Sequence, residues 1–359
     1  MKIAFSVLAG AVGAAAGLMH GSPVQKRQNQ NSDDRVLNFA LALEQLETAF
    51  YAEGLHNYTH QEFLDAGFPD PFYTNLQQVA TNERAHVDFL TQALTDAGAH
   101  PVSACEYDFP STDPKSFVAL ANILEGVGVS AYAGAAAQLD SDRYVTGAAS
   151  ILGIEGRHSA FFRAALGLVP FRPFEVPLDF AQVNTLVAPF IVSCPTGKGK
   201  LPFQIFPPLT IITDERTVQA GATVTVDAGE HFRPTDHVFA AFITLLGPVF
   251  ADLRPEVNGR FSVTVPEGIM GQSYLVLTSS DREVTHDTIL AGPGIVQVGP
   301  VVGTPCDDDH DDNGRRAVSM ASGGAKAGSS SEYTNSAGKT VGNVAGSVLA
   351  SVIAAALVL

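Results

Sequence analysis

"NERAHVDFL" (Asn82–Leu90) and "IEGRHSAFF" (Ile154–Phe162) each place a histidine three residues after a glutamate, Glu83 with His86 and Glu155 with His158, inside apolar runs. In an α-helix a step of three residues turns about 300° and rises about 4.5 Å, so both side chains of a pair can reach one metal ion from one face. A single Glu-x-x-His is weak evidence, since the two residues pair with each other or face solvent just as readily. Two copies on different helices shift the balance towards a shared site.

The intervening helical segments supply matching carboxylates. "LEQLETAFY" (Leu43–Tyr51) and "LEGVGVSAY" (Leu124–Tyr132) each carry a tyrosine seven residues after a glutamate: Glu44 with Tyr51, and Glu125 with Tyr132. Seven residues are close to two turns, so each tyrosine lies above its glutamate on one face. The chain thus runs Glu, Glu-x-x-His, Glu, Glu-x-x-His over four consecutive helices, an internal duplication of a two-helix unit. Glu47 has no counterpart, because the matching position is Gly128. Glu44 rather than Glu47 is therefore expected to be the inward carboxylate.

This order of ligands resembles the ferritin-like carboxylate bundles, in which two helices give one Glu each and two give Glu-x-x-His. The closer resemblance is to the ferritin-like domains of secreted fungal stress-response and late sexual development proteins, with plant desiccation-related proteins as cousins. "LEQLETAFYAEGL", "NERAHVDFL", "LEGVGVSAYAGAA" and "IEGRHSAFF" carry it, and it covers residues 33 to 194. It implies a di-metal site of Glu44, Glu83, His86, Glu125, Glu155 and His158, with Glu83 and Glu155 bridging and Glu44 and Glu125 terminal. Tyr51 and Tyr132 are either hydrogen-bond donors to these carboxylates or ordinary aromatic core. Four carboxylates in a dry core are costly unless neutralised, and two divalent cations with two imidazoles would neutralise them. Carboxylate with imidazole suits iron first, then manganese, with zinc also compatible. Gly126 and Gly128 directly follow Glu125 and cost about 1 kcal/mol each in a helix interior. Either they admit a close neighbour or they distort the helix.

Around this core the chain reads as an α+β multidomain protein: a four-helix bundle over 33–196, then a small antiparallel β-sandwich over 200–300. Pro, Gly and polar breaks separate helical segments at about 33–55, 71–98, 111–139 and 142–166, with a shorter apolar piece at 179–191. After Cys194, "LTIIT", "ATVTV", "HVFAAFITLL", "RFSVTV" and "YLVLTSS" are short β-branched or aromatic runs, and Asn258-Gly259 is a hairpin turn signal.

Both ends read as processing signals. Residues 1–20 have the pattern of a secretory signal peptide, followed by a linker (21–32) carrying the dibasic pair Lys26-Arg27, either a protease site or a chance pair. A polar Ser/Gly-rich and acidic stalk (301–340) precedes an apolar tail (341–359), the pattern of a glycolipid-anchor signal with Asn335 as attachment residue; a C-terminal membrane helix is the alternative. The expected location is a cell surface or wall, with a membrane contact through the lipid and cell-wall components as partners. The three cysteines suit an oxidising route. A bridge between Cys105 and Cys194 would tie the end of the helical domain back onto it, leaving Cys306 free or pairing between chains. Asn57 in "NYT" is a glycosylation sequon, read as part of a polar loop. With 37 acidic against 21 basic residues and a net charge of -16, the chain has no electrostatic footprint for nucleic acid.

The functional expectation is a surface-anchored di-metal protein acting on oxygen or peroxide as oxidase, ferroxidase or peroxide scavenger. The competing expectation is a structural or adhesive wall protein whose bundle does no chemistry.

Overall fold

The computed structural model describes residues 24–195, 203–213, 217–230, 232 and 237–299, with side chains placed from residue 33 onward. The expected signal peptide, stalk, anchor tail, Cys306 and Asn335 lie outside these residues. The bundle consists of α1 (Val24–Asn57), α2 (His60–Asp65), α3 (Phe72–Asp96), α4 (Pro114–Ala135) and α5 (Asp142–Ala165), with α6 (Phe180–Val187) packed on α4. α1 lies against α3, α4 against α5, and α1 against α4, so the two-helix repeats sit side by side.

Local chemistry sets the ends of these helices. Asp113 caps α4 by accepting from the Ser116 amide at 2.8 Å, and Pro114 occupies the first turn, where its missing N–H costs nothing. α3 and α5 stop just before Gly98 and Gly167, at φ +75° and +68°, a left-handed conformation that glycine adopts freely. α4 is apolar on every side and almost wholly buried. It is long and apolar enough to cross a membrane by composition, yet it is the central core helix of the bundle.

Two differences from the sequence reading appear here. α1 starts at Val24 rather than near Asp33, so Lys26 and Arg27, read as part of a linker, lie within its span; the Gln-, Lys- and Arg-containing stretch holds no glycine or proline to stop a helix. The loop expected around Asn57 is only a junction. Asn57 is the exposed last residue of α1, and Thr59 already caps α2, its amide donating to Glu62 at 2.7 Å.

The second unit is a pair of four-stranded antiparallel sheets. One joins β3 (Thr210–Ile212), β4 (Thr223–Asp227), β7 (Leu253–Pro255) and β8 (Arg260–Thr264) in the order β3-β4-β8-β7. The other joins β5 (Phe239–Ile243), β6 (Val249–Ala251), β9 (Gly271–Thr278) and β10 (Ile289–Val298) in the order β10-β9-β5-β6. Asn258 and Gly259, at φ +59° and +78°, make the tight turn between β7 and β8. The ten-residue β10 escaped the sequence reading because Gly292-Pro293 looks like a break. The strand absorbs it through register shifts between Ile289 and Gly294, as bulges allow. A further short pair, β1 (Glu106–Tyr107) and β2 (Ile191–Ser193), brings together the segments that hold the Cys105–Cys194 disulfide.

The two units share a buried seam. Tyr274 of β9 belongs to the bundle's own hydrophobic cluster, donates to the Gly126 carbonyl at 2.8 Å and lies 2.8 Å from the Ser130 hydroxyl. Gln272 donates to the Ile123 carbonyl at 3.1 Å, and Gln297 joins it to the buried Arg163 of α5. The sandwich therefore braces the outer face of α4, directly behind Glu125.

Candidate metal centre

The duplicated motifs meet on the inner faces of α1, α3, α4 and α5. Glu44, Glu83, His86 and Glu155 offer ligand atoms within 4.8 Å of one another, and so do Glu83, Glu125, Glu155 and His158. Both groups are buried, and they share Glu83 and Glu155. Two neighbouring cation positions with two carboxylates common to both are what this geometry offers.

The imidazoles face the centre through Nδ1. His86 Nδ1 lies 3.1 Å from Glu44 Oε2, 3.1 Å from Glu83 Oε2 and 3.5 Å from Glu155 Oε1. His158 Nδ1 lies 2.8 Å from Glu83 Oε1 and 3.4 Å from Glu125 Oε2. The 2.8 Å pair is close in distance but not aligned as a hydrogen bond. Five buried atoms at the centre, Glu83 Oε1, Glu125 Oε2, both Glu155 oxygens and His158 Nδ1, have no hydrogen-bond partner. Orphaned buried acceptors cost roughly 1–3 kcal/mol each, more when charged. A pair of cations at this point would satisfy all five, so the donor set fits metal; hard oxygen with imidazole is compatible with iron and manganese.

The electrostatics carry the same message. Burial drives the Glu44 carboxyl up to about 8 and Glu155 well above the ordinary range. Burial also raises Glu125. Glu83 goes the other way: burial pushes it up, but the close imidazoles of His158 and His86 outweigh that and hold it at about 2. The histidines answer in kind. Burial lowers both, yet their carboxylate neighbours lift His86 to about 9 and His158 to about 10. Without metal, the core neutralises itself with protons, and cations would take their place.

Each tyrosine donates to a glutamate, but not to the one on its own helix. Tyr51 of α1 donates to Glu125 Oε1 on α4, and Tyr132 of α4 donates to Glu44 Oε1 on α1 at 2.5 Å. The pairing by sequence spacing is thus replaced by a crossed pair, because a side chain leaning off one helix meets its neighbour's carboxylate sooner than its own.

The two glycines after Glu125 have separate roles. α4 runs through them as a continuous helix. Positions 126 and 128 differ by about 200° around the axis, so they face opposite ways. A methyl at Gly126 would come 2.5 Å from Gln272 Nε2 of the sandwich, whereas one at Gly128 would run into Glu155 Oε2 and come 3.0 Å from Glu47 Oε1.

That last contact corrects the expectation about Glu47. It is buried, and burial together with Glu44, Glu125 and Glu83 pushes its carboxyl well above the ordinary range. It faces the centre as a fifth carboxylate. The repeat symmetry picks out Glu44, which joins a ligand group while Glu47 joins neither, but it hides that Glu47 is buried beside them: Gly128, the residue without a side chain, makes room for it. The available signal was the three-residue spacing from Glu44, which puts both acids on one face. Sequence reasoning also missed Asn82, whose Nδ2 sits 3.0 Å from His158 Nε2.

Cys105 and Cys194 form a disulfide between the β1 and β2 segments, outside the centre.

Residues 32–168 match the ferritin-like domain family Ferritin_2. The chain is also 30% identical over 182 residues to Protein rds1 of Schizosaccharomyces pombe, a match spanning 50% of this chain and 44% of that protein. Less than half of the relative's length is therefore shared. The ligand-bearing helices α3, α4 and α5 lie within the matched span, together with the part of α1 that carries Glu44 and Glu47. Over residues 32–168 the chain is thus similar to ferritin-like domains, and this stretch holds every residue of the centre's two ligand groups.

Proposed function

We propose that this chain is a di-metal oxidoreductase of the cell surface, taking oxygen or peroxide as oxidant, with iron as first choice of metal and manganese as second. The observation that carries the proposal is the set of five orphaned ligand atoms converging between two Glu-x-x-His pairs. Glu44 with His86 would hold one cation, Glu125 with His158 the other, and Glu83 with Glu155 would join them. A bound pair of redox-active ions would supply one electron each to the oxidant. The chain's own residues do the rest. Tyr51 and Tyr132 orient the terminal carboxylates by donating to one oxygen of each, leaving the other for the metal. Glu47, set back from the compact ligand groups, can take or return a proton inside a core otherwise closed to water. The apolar residues of α4 exclude solvent, which strengthens every charge interaction within.

The proposal extends to location. The apolar N-terminal run, the anchor-type C-terminal tail and the disulfide support a secreted protein held at the surface by a glycolipid, with Asn57 exposed for a glycan.

Anaerobic addition of Fe(II) to the purified protein, followed by exposure to oxygen and separately to peroxide, tests the catalytic reading. Two irons bound per chain and an oxidation change on exposure are expected. Stoichiometric binding with no reaction to either oxidant would favour a structural role for the metals, and no binding at all would end the proposal.

A further inference from the structure

The two halves of the centre are not equivalent, and the difference lies in one residue outside the ligand set. The two-helix repeats align Glu83 with Glu155 and His86 with His158. The residue before each glutamate is then Asn82 in one repeat and Ile154 in the other. Asn82 does not serve the histidine of its own helix. It reaches across to α5, where its amide lies 3.0 Å from His158 Nε2, and its other end receives the Gln78 amide at 2.9 Å. Among the described residues no hydrogen bond reaches His86 Nε2, and Ile154 offers no hydrogen-bonding group.

With Nδ1 of His158 turned to the centre, Nε2 must carry the ring's remaining proton whenever Nδ1 binds a cation. The partner for that proton has to be an acceptor. An asparagine amide has the same shape either way round, and turned end for end it presents its carbonyl to Nε2. Gln78 can turn with it, so the chain Gln78–Asn82–His158 stays hydrogen-bonded throughout. Such a partner holds the imidazole in the metal-binding tautomer and raises its strength as a ligand.

The geometry points to Asn82 as a positioning residue that makes the His158 position the tighter of two unequal metal sites, so that it fills first and the His86 position exchanges more readily. This rests on the di-metal reading above.

Anaerobic titration calorimetry with Fe(II), using the full chain, tests it. The wild-type protein should bind two irons in two resolved steps. Asn82→Ile, which copies the residue of the other repeat, should weaken the tighter step by roughly 10- to 100-fold and leave the weaker step in place, as expected for loss of a histidine's hydrogen-bond partner. Asn82→Asp, whose carboxylate accepts the same proton, should restore it. Mössbauer spectra of the iron-loaded proteins supply a readout that mere destabilisation would not move: two distinct ferrous signals in the wild type and Asn82→Asp, converging in Asn82→Ile. Asn82 is only half-buried on α3, and a melting curve for each variant confirms the fold. Equal affinities in the wild type, or an Asn82→Ile isotherm with both steps unchanged or both weakened alike, overturns the inference while leaving the di-metal reading intact. A wild-type chain that binds no iron overturns both.

Discussion

Tyr51 on α1 donates its hydroxyl to Glu125 on α4, while Tyr132 on α4 donates back to Glu44 on α1. The crossed pair ties the two repeats together across the centre, and each bond leaves one carboxylate oxygen facing the metal positions. Tyr51→Phe removes one donor and leaves a buried carboxylate oxygen unpaired, at a cost of roughly 1–3 kcal/mol. A drop in the melting temperature of the metal-free protein, with a smaller drop once iron is bound, is the expected outcome by calorimetry.

Gly128 leaves the space in which Glu155 and Glu47 meet α4. Gly128→Ala adds a helix-favouring residue and would be mildly stabilising at an exposed site. Here the methyl collides with Glu155 Oε2, so the variant should lose one metal equivalent or both while keeping its helix content. Elemental analysis beside circular dichroism measures the two effects separately.

Glu47 is the fifth carboxylate around a centre whose other four would balance two divalent ions. Glu47→Gln removes the surplus charge without changing the shape of the side chain. The variant should bind two Fe(II) as the wild type does but favour Fe(III) less, seen as a higher reduction potential of the loaded protein. An unchanged potential would show that Glu47 holds its proton in every state.

The pH dependence of the metal-free protein follows from the direction of its shifts. His86 and His158 are raised to about 9 and about 10, and Glu44 to about 8, with Glu155 and Glu47 raised as well. A group whose folded value is raised gives stability that is present below its unfolded value and lost as pH climbs through the folded one. Glu83, held at about 2, acts oppositely and loses its contribution only on acidification below about 4.5. The melting temperature without metal should therefore fall between about pH 5 and pH 10. Metal binding displaces the same protons, so the gain in melting temperature on adding Fe(II) or Mn(II) should grow over the neutral range.

The Cys105–Cys194 bridge closes a loop of 89 residues that includes α4 and α5. Replacing both cysteines by serine should cost about 2–5 kcal/mol, read from denaturant unfolding, with the metal ligands untouched.

The sequence by itself determined the bundle and pointed to the six residues whose side chains the structure brings together at its centre. Glu83, His86, Glu155 and His158 were legible because helical periodicity converts a three-residue spacing into a shared face, and Glu44 and Glu125 because the repeat recurs. Spacing along one chain says nothing of what arrives from another element, and each remaining feature depended on that. Only the tertiary structure decided that the tyrosines cross between repeats, that Gly126 receives Gln272 from the sandwich, and that Gly128 opens the space occupied by Glu47. It also decided that Asn82 serves the histidine of α5 and not that of its own helix. These are contacts between residues 74 to 146 positions apart, set by helix packing and by the seam between two units, and no local pattern encodes them.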